Sequence, residues 1–241
     1  MRNAIVTGGS RGLGLGIAQA LAEEGYSVVV VARRSTDALD AARANLKRGA
    51  IHFTAFDLAD IAGLGALAKA IRDEHGAPYA LVNNAGLGTS GVLATMHVAQ
   101  IEALVRLNIT APLVFTKYVV RAMMARGEGR VVNMTSIVAA SGFSGLSVYG
   151  ATKASLVGFT KSLAREVGPL GVTVNAVAPG FVATDMTAEL GDADRDRVAR
   201  RSALRRLPEV ADVAAAVVYL LSEGARNVTG TVLTVDAGST A

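Results

Sequence analysis

The 241-residue chain contains no cysteine, which excludes disulfides and thiolate metal sites outright. Histidine is almost as scarce: His52, His75 and His97 stand far apart and without paired carboxylates, so no metal site is expected. Charged residues make up only 18% of the chain against 51% hydrophobic, a balance that argues against disorder and for a well-buried core. No apolar run approaches the ~20 residues that a membrane helix needs. Met1-Arg2-Asn3 runs directly into Ala4-Ile5-Val6 without the layout of a signal peptide. Linkers, internal repeats and low-complexity tracts are also missing. These absences lead to the expectation of one domain over residues 1–241, in the cytoplasm and not in a membrane.

The net charge is +4 and the pI near 9.6. The basic excess sits largely in Arg195, Arg197, Arg200, Arg201, Arg205 and Arg206, interleaved with Asp192, Asp194 and Asp196. That reads as a solvated helix face, or one turned to an anionic substrate. With no nucleic-acid motif beside it, nucleic acid is not an expected partner.

What the chain does have is alternation. Short β-branched runs at residues 4–7, 27–32, 51–56, 79–82, 130–134, 172–177 and 232–235 read as strands. Longer amphipathic stretches at 13–24, 37–47, 61–74, 98–125, 148–167 and 210–221 read as helices. Apolar strands separated by helices suit a parallel sheet covered on both sides, and right-handed crossovers wind such a sheet doubly. The expected fold is α/β: a single-domain, Rossmann-like, doubly wound, seven-stranded parallel sheet with helices on both faces. Only residues 178 to about 207 break the alternation, and a connection that long suggests a substrate lid at about 183–207.

The first strand feeds Thr7-Gly8-Gly9-Ser10-Arg11-Gly12-Leu13-Gly14 and then a helix. The spacing is G-x-x-x-G-x-G, not the commoner G-x-G-x-x-G, but the physics is shared. Glycines let the backbone turn sharply and approach a pyrophosphate, and free N–H groups at the helix start receive its charge. At the end of the second strand an NAD enzyme tends to carry an acid for the ribose hydroxyls. Here Ala32 is followed by Arg33 and Arg34. A carboxylate would repel a 2′-phosphate and a guanidinium would bind it, with Arg11 closing from the glycine turn, so NADP(H) is the expected cofactor. Asp57 and Leu58 close the third strand, where a side chain meets the adenine. Asn83-Asn84-Ala85-Gly86 closes the fourth, at the crevice that a doubly wound sheet offers to ligands.

Tyr149 and Lys153 are four residues apart and so share a helix face. A free phenol titrates near ~10 and is a sluggish proton carrier at neutral pH. A neighbouring ammonium, joined by the charge of an oxidised nicotinamide, is expected to lower that value. Ser136 follows the fifth strand, and Asn108 is expected to open a helix ahead of it. Taken with Thr7-Gly8-x-x-x-Gly12-x-Gly14, Asn83-Asn84-Ala85-Gly86 and Pro179-Gly180, these residues resemble the short-chain dehydrogenase/reductase family along the whole chain and in the family's order.

The resemblance implies roles. Tyr149 is the general acid of reduction and the base of oxidation, and Ser136 holds the substrate oxygen. Lys153 lowers the tyrosine pKa and binds the nicotinamide ribose, while Asn108 helps hold a water in a relay reaching Lys153. Pro179-Gly180-Phe181-Val182 with Thr184 seats the nicotinamide carboxamide. Within the family the likeness is greatest to 3-oxoacyl-(acyl-carrier-protein) reductases, carried by Arg130-Val131-Val132-Asn133-Met134-Thr135-Ser136, by residues 171–180 and by residues 228–238. Many of those reductases carry a basic residue before Gly171, where this chain has Gly168-Pro169-Leu170. Arg126 and Arg130 are alternative basic residues for an acidic carrier. Phe143, Leu146, Phe181, Val182, Met186 and Leu190 are candidate walls of an acyl tunnel. Family members usually form homotetramers through two long helices, here 98–125 and 148–167. A sugar, polyol, steroid or polyketide carbonyl, or a non-catalytic NADP-binding role, are the competing readings.

Overall fold

The computed structural model describes residues 1–182 and 192–241, with the backbone alone for 192–195. Strands β1 (Asn3–Thr7), β2 (Ser27–Ala32), β3 (Ala50–Ala55), β4 (Ala80–Asn83), β5 (Gly129–Met134), β6 (Val172–Pro179) and β7 (Val232–Val235) form one sheet. Its order is β3-β2-β1-β4-β5-β6-β7, with every pairing parallel.

The strands form where they do because both sheet faces are covered. Successive side chains point to opposite faces. In β1, Ala4 and Val6 join one core cluster and Ile5 the other; in β2, Val28 and Val30 oppose Val29 and Val31 in the same way. Helices α1 (Gly12–Glu23), α2 (Asp37–Ala44) and α9 (Val210–Leu221) supply the first cluster through Leu21, Leu39 and Val217. Helices α3 (Leu64–His75), α5 (Ala111–Arg126) and α7 (Ser147–Val167) supply the second through Leu67, Phe115 and Leu163. The remaining helices among the described residues are α4 (Val98–Val105), α6 (Val138–Ser141) and α8 (Asp192–Arg201).

Connectivity places the site. The chain leaves β1 for β2 and β3 on one side, then returns to β4 on the other. The turns after β1 and β4 therefore diverge and leave a crevice at the carboxyl ends of these two strands.

Three sequence expectations change. Residues 98–125 do not form one regular helix: a π-helical turn, Arg106–Thr110, joins α4 to α5, and Asn108 lies inside it instead of opening a helix. The combined stretch Val98–Arg126 is 29 residues long and, by length and composition alone, apolar enough to cross a membrane, although no unbroken apolar run marks it in the sequence. Here Leu104, Phe115, Val119 and Met123 turn inward, the last three onto the second core cluster. Finally, the stretch taken as irregular contains the end of β6 and helix α8. The sequence of α8, rich in Asp and Arg, carries almost no apolar periodicity to reveal it.

Candidate active site

The glycine turn leaves β1 with Gly8 at φ +66° and Gly12 at φ +55°, left-handed values that favour glycine. It is braced from two sides. Asn84, after β4, donates from Nδ2 to the Thr7 carbonyl at 2.9 Å and to the Gly8 carbonyl at 3.2 Å. The Thr7 hydroxyl in turn accepts from the N–H groups of Asn84 (3.0 Å) and Ala85 (3.1 Å). On the other side Thr36, the N-cap of α2, accepts from Leu39 N–H at 3.2 Å and donates to the Ser10 carbonyl at 2.6 Å. That bond draws the loop bearing exposed Arg33 and Arg34 against the turn bearing Ser10, Arg11, Gly12 and Leu13. Asp57 is exposed beyond β3, its carboxylate accepting from Ala59 N–H at 2.9 Å, and Leu58 beside it is buried.

A dinucleotide fits this crevice. A side-chain carbon on Gly14 would strike the Gly8 carbonyl and Asn84, and one on Gly86 would lie 3.2 Å from Asn108 Oδ1 and 3.4 Å from Lys153 Nζ. Gly14 thus lets the start of α1 pack directly on the turn, and Gly86 lets the chain after β4 pass close to Asn108 and Lys153, with basic residues at one end and titratable ones at the other.

At that other end β5 delivers Ser136 and α7 delivers Tyr149 and Lys153. The Ser136 hydroxyl is hydrogen-bonded to the Tyr149 phenol and accepts from Val138 N–H at 3.3 Å. Lys153 is 5% exposed; its Nζ donates to the Met134 carbonyl at 2.8 Å and sits 5.8 Å from the centre of the Tyr149 ring. Thr135 fixes the helix by donating to the Lys153 carbonyl at 2.8 Å. Asn108 is buried, accepts from Leu87 N–H at 2.8 Å, and donates to the Leu87 carbonyl at 2.9 Å and the Thr152 hydroxyl at 3.1 Å. The structure brings all four residues expected to be catalytic to one end of the crevice.

The electrostatics differ from the expectation in one respect. Burial pushes the Tyr149 phenol above its ordinary value, and the Ser136 hydrogen bond only partly offsets it, so the protein alone does not lower this pKa. Lys153 is itself desolvated, its own pKa pulled down to about 8 by burial. The phenol is therefore held as a neutral acid at pH 7.

A family model described as short chain dehydrogenase matches residues 2–195. The chain belongs to the short-chain dehydrogenase/reductase family. Among its relatives, the 3-oxoacyl-[acyl-carrier-protein] reductase FabG of Vibrio cholerae serotype O1 is 40% identical over 238 residues, covering 98% of this chain and 96% of that one. FabG of Escherichia coli is 38% identical with the same coverage. A short chain dehydrogenase from Burkholderia cenocepacia, solved in complex with NADP, matches at a TM-score of 0.89 and 35% identity, covering 100% of this chain and 98% of that one. Enzymes of this kind are oxidoreductases that act on the CH–OH/C=O couple.

In this short-chain dehydrogenase/reductase, Pro179 ends β6 and Gly180 follows it, and they meet the segment after β5 directly, since Ile137 N–H donates to the Pro179 carbonyl at 3.1 Å. Val182 is buried behind them, whereas Thr184, Met186 and Leu190 lie outside the described residues. Phe143 packs edge-on against Phe181 with ring centres 5.6 Å apart, and Leu146 shares a shallow apolar hollow with Phe143 and Val138. Arg130 does not belong to any rim. It is 6% exposed at the start of β5, the edge of the sheet away from Tyr149, and stacks on Tyr79. Arg126 lies at the same edge, paired with Glu128 at 2.7 Å. Sequence reasoning passed over Thr36 and Asn108's grip on Leu87. The first had a visible signal, a Thr–Asp pair ahead of an apolar helical pattern; the second depends on the π-helical turn and had none.

Cofactor choice has a direct test. Arg33→Asp replaces attraction by repulsion at a 2′-phosphate, worth a few kcal/mol at close range. NADPH affinity is expected to fall by about a hundredfold while NADH affinity holds or improves, as read by fluorescence titration. A wild type that already prefers NADH would overturn the assignment.

Proposed function

We propose that this NADP(H)-dependent oxidoreductase reduces the ketone of a 3-oxoacyl thioester to the secondary alcohol. The observation that carries this reading is the set of exposed apolar side chains on the segments that border the site. Phe143, 54% exposed, stands on Phe181, and Leu87 and Leu204 are likewise exposed on segments tied to the site. A polyol needs hydrogen-bonding partners along its length; an acyl chain needs such a surface. Beyond it Arg200, Arg201, Arg205 and Arg206 are all exposed, a basic shoulder suited to the phosphates of coenzyme A or to an acidic carrier protein. The side chain of Arg195 is not among those described.

NADPH held in the crevice by the glycine turn, Arg33 and Lys153 would supply the hydride. Tyr149 gives its phenolic proton to the ketone oxygen as charge develops there, and Ser136 holds that oxygen by hydrogen bond. Lys153 orients the ribose, and its ammonium stabilises the phenolate left behind. Asn108, bordering Gly86 together with Lys153, holds the water through which the phenol regains its proton. Run backwards, the same groups oxidise an alcohol.

An NADPH-consumption panel tests the substrate. Acetoacetyl thioesters are expected to exceed sugars, steroids and simple diketones in kcat/KM by at least tenfold, and rising salt should weaken turnover of the carrier-protein thioester most, as screening shortens the reach of surface charge. Activity confined to another ketone would reject the substrate and leave the chemistry standing.

We further propose a cytoplasmic homotetramer. The outward face of α7 carries Ala151, Ala154 and Gly158, and α4 exposes Val98 and Val105. Small residues on one helix and bare apolar ones on another suit close helix packing between copies. Light scattering at the mass of a single 24.7 kDa chain across micromolar concentrations would refute it.

A further inference from the structure

The carboxylate of Asp236, just past β7, is 7% exposed and saturated with hydrogen bonds from its own turn. Oδ1 accepts from Gly238 N–H at 2.9 Å; Oδ2 accepts from the Ser239 hydroxyl at 3.0 Å, Thr240 N–H at 2.9 Å and the Thr240 hydroxyl at 2.7 Å. Between donors and carboxylate the backbone is forced into left-handed geometry at Ala237 (φ +55°) as well as at Gly238 (φ +76°). For alanine that conformation costs about 1 kcal/mol, so something must over-determine it. The four bonds to Asp236 do so.

This strained turn is the point where two ends of the substrate-side chain are tied. Gly180 N–H donates to the Val235 carbonyl at 2.9 Å. Ala203 and Leu204 N–H donate to the Gly238 and Ala237 carbonyls at 3.2 and 3.0 Å. The packing leaves no slack: a side-chain carbon on Gly180 would lie 2.8 Å from Asp236 Cβ, and one on Gly238 would lie 2.6 Å from Ala203 Cβ. The tie continues into the segment after β5, because the Pro179 carbonyl next to Gly180 accepts from Ile137 N–H at 3.1 Å, one residue from Ser136. Hydride transfer happens where the proton donor is, so the reactive end of the cofactor lies beside Ser136 and Tyr149 and hence beside Pro179 and Gly180.

We propose that Asp236 is a positioning residue: the turn it holds sets Gly180 against the reactive end of the cofactor and, through Pro179 and Ile137, sets Ser136 against the substrate oxygen. The inference rests on the NADP(H) crevice described above but not on the identity of the ketone. Its effect is confined to one end of the crevice, since nothing in this chain of contacts reaches Arg33 or the glycine turn.

The test separates the two ends. In Asp236→Ala, hydrogen exchange is expected to accelerate at the amides of Gly180, Ala203 and Leu204, and NADPH affinity to fall about tenfold, with 2′,5′-ADP affinity, which reports the adenine end alone, unchanged. Turnover should fall tenfold or more, since a displacement of about 1 Å of a reacting group can cost a hundredfold. Asp236→Asn, keeping the shape and part of the bonding, should recover part of both losses. If Asp236→Ala does not fold, Thr240→Ala deletes only the 2.7 Å bond and should show the same split on a scale of about threefold. Equal losses for NADPH and 2′,5′-ADP, or NADPH affinity and turnover within twofold of wild type, would overturn the proposal. A wild type that binds neither ligand would sink the cofactor crevice instead, and the exchange rates would still decide the role of Asp236.

Discussion

Tyr149→Phe is expected to lower ketone reduction by two or more orders of magnitude while NADPH affinity stays within about twofold. The substitution keeps the ring and removes only the ionisable oxygen, so a loss confined to turnover isolates proton transfer, for which factors of 10² to 10⁴ are typical. Among the described residues no other group near the site replaces it. Ser136 is an aliphatic hydroxyl, a far weaker acid than a phenol. Lys153 Nζ is 5.8 Å from the ring centre and already bonded to the Met134 carbonyl. His52 and His75 stack on each other between β3 and the end of α3, at the sheet edge remote from the crevice. Because burial raises the phenol's pKa, it stays protonated through neutral pH. Reduction should then be insensitive to pH from about 6 to 7 and decline as the Lys153 ammonium is lost near 8, and alcohol oxidation, which needs the phenolate, should climb as pH rises out of the neutral range. Steady-state rates in both directions, with cofactor titrations on the variant, check this. A folded Phe variant with near-normal turnover would remove Tyr149 from the mechanism.

The sequence made the sheet legible because a parallel strand covered on both faces is mostly apolar, and β-branched runs mark it even where a buried Asn such as Asn133 or Asn175 interrupts them. Strand β2, 27–32, falls within its expected bounds for that reason. Helix ends were less legible, since they are set by caps and turns: α3 starts at Leu64, after a turn in which Asp60 accepts from Gly63 N–H, and not at residue 61. Of the four residues expected to be catalytic, Tyr149 and Lys153 stand out by local spacing on one helix, while Ser136 and Asn108 stand out only through the family resemblance; the structure gathers all four at one end of the crevice. What escaped was non-local. The π-helical turn that buries Asn108, the burial that raises the Tyr149 phenol in the protein alone, and the burial of Arg130 on Tyr79 all follow from what packs nearby, and no window of sequence holds that information. Asp236 belongs to a stretch that carries the family likeness, but its bonds to residues two to four ahead gain meaning only once Gly180 and Ala203 are seen against the same turn.

Lys153→Met is expected to destroy activity and stabilise the fold. The lysine is fully buried, and burial draws its pKa from 10.5 down to about 8, a penalty on the order of 3 kcal/mol for keeping the ammonium at neutral pH. Methionine has nearly the same length, carries no charge and packs readily. It forfeits the bond to the Met134 carbonyl and leaves that oxygen unpaired, which costs about 1 kcal/mol or more. The balance favours the variant by about 1–2 kcal/mol, or roughly 3–6 °C in Tm for a chain of this size. The pH dependence fixes the cause. At pH 7 the lysine is protonated in both folded and unfolded states and the penalty is fully present. As pH rises through about 8 toward 10.5, the folded protein loses the proton while the unfolded chain still holds it. The wild type therefore gains stability over that window and the gap to the variant closes. Turnover should fall at least a hundredfold and NADPH affinity should weaken, because one ammonium serves both phenol and ribose. Melting curves at pH 7 and pH 10 beside turnover at pH 7 test all three effects. A variant that is less stable than wild type at pH 7, or whose stability difference does not shrink by pH 10, would show that the buried charge is not what sets the balance.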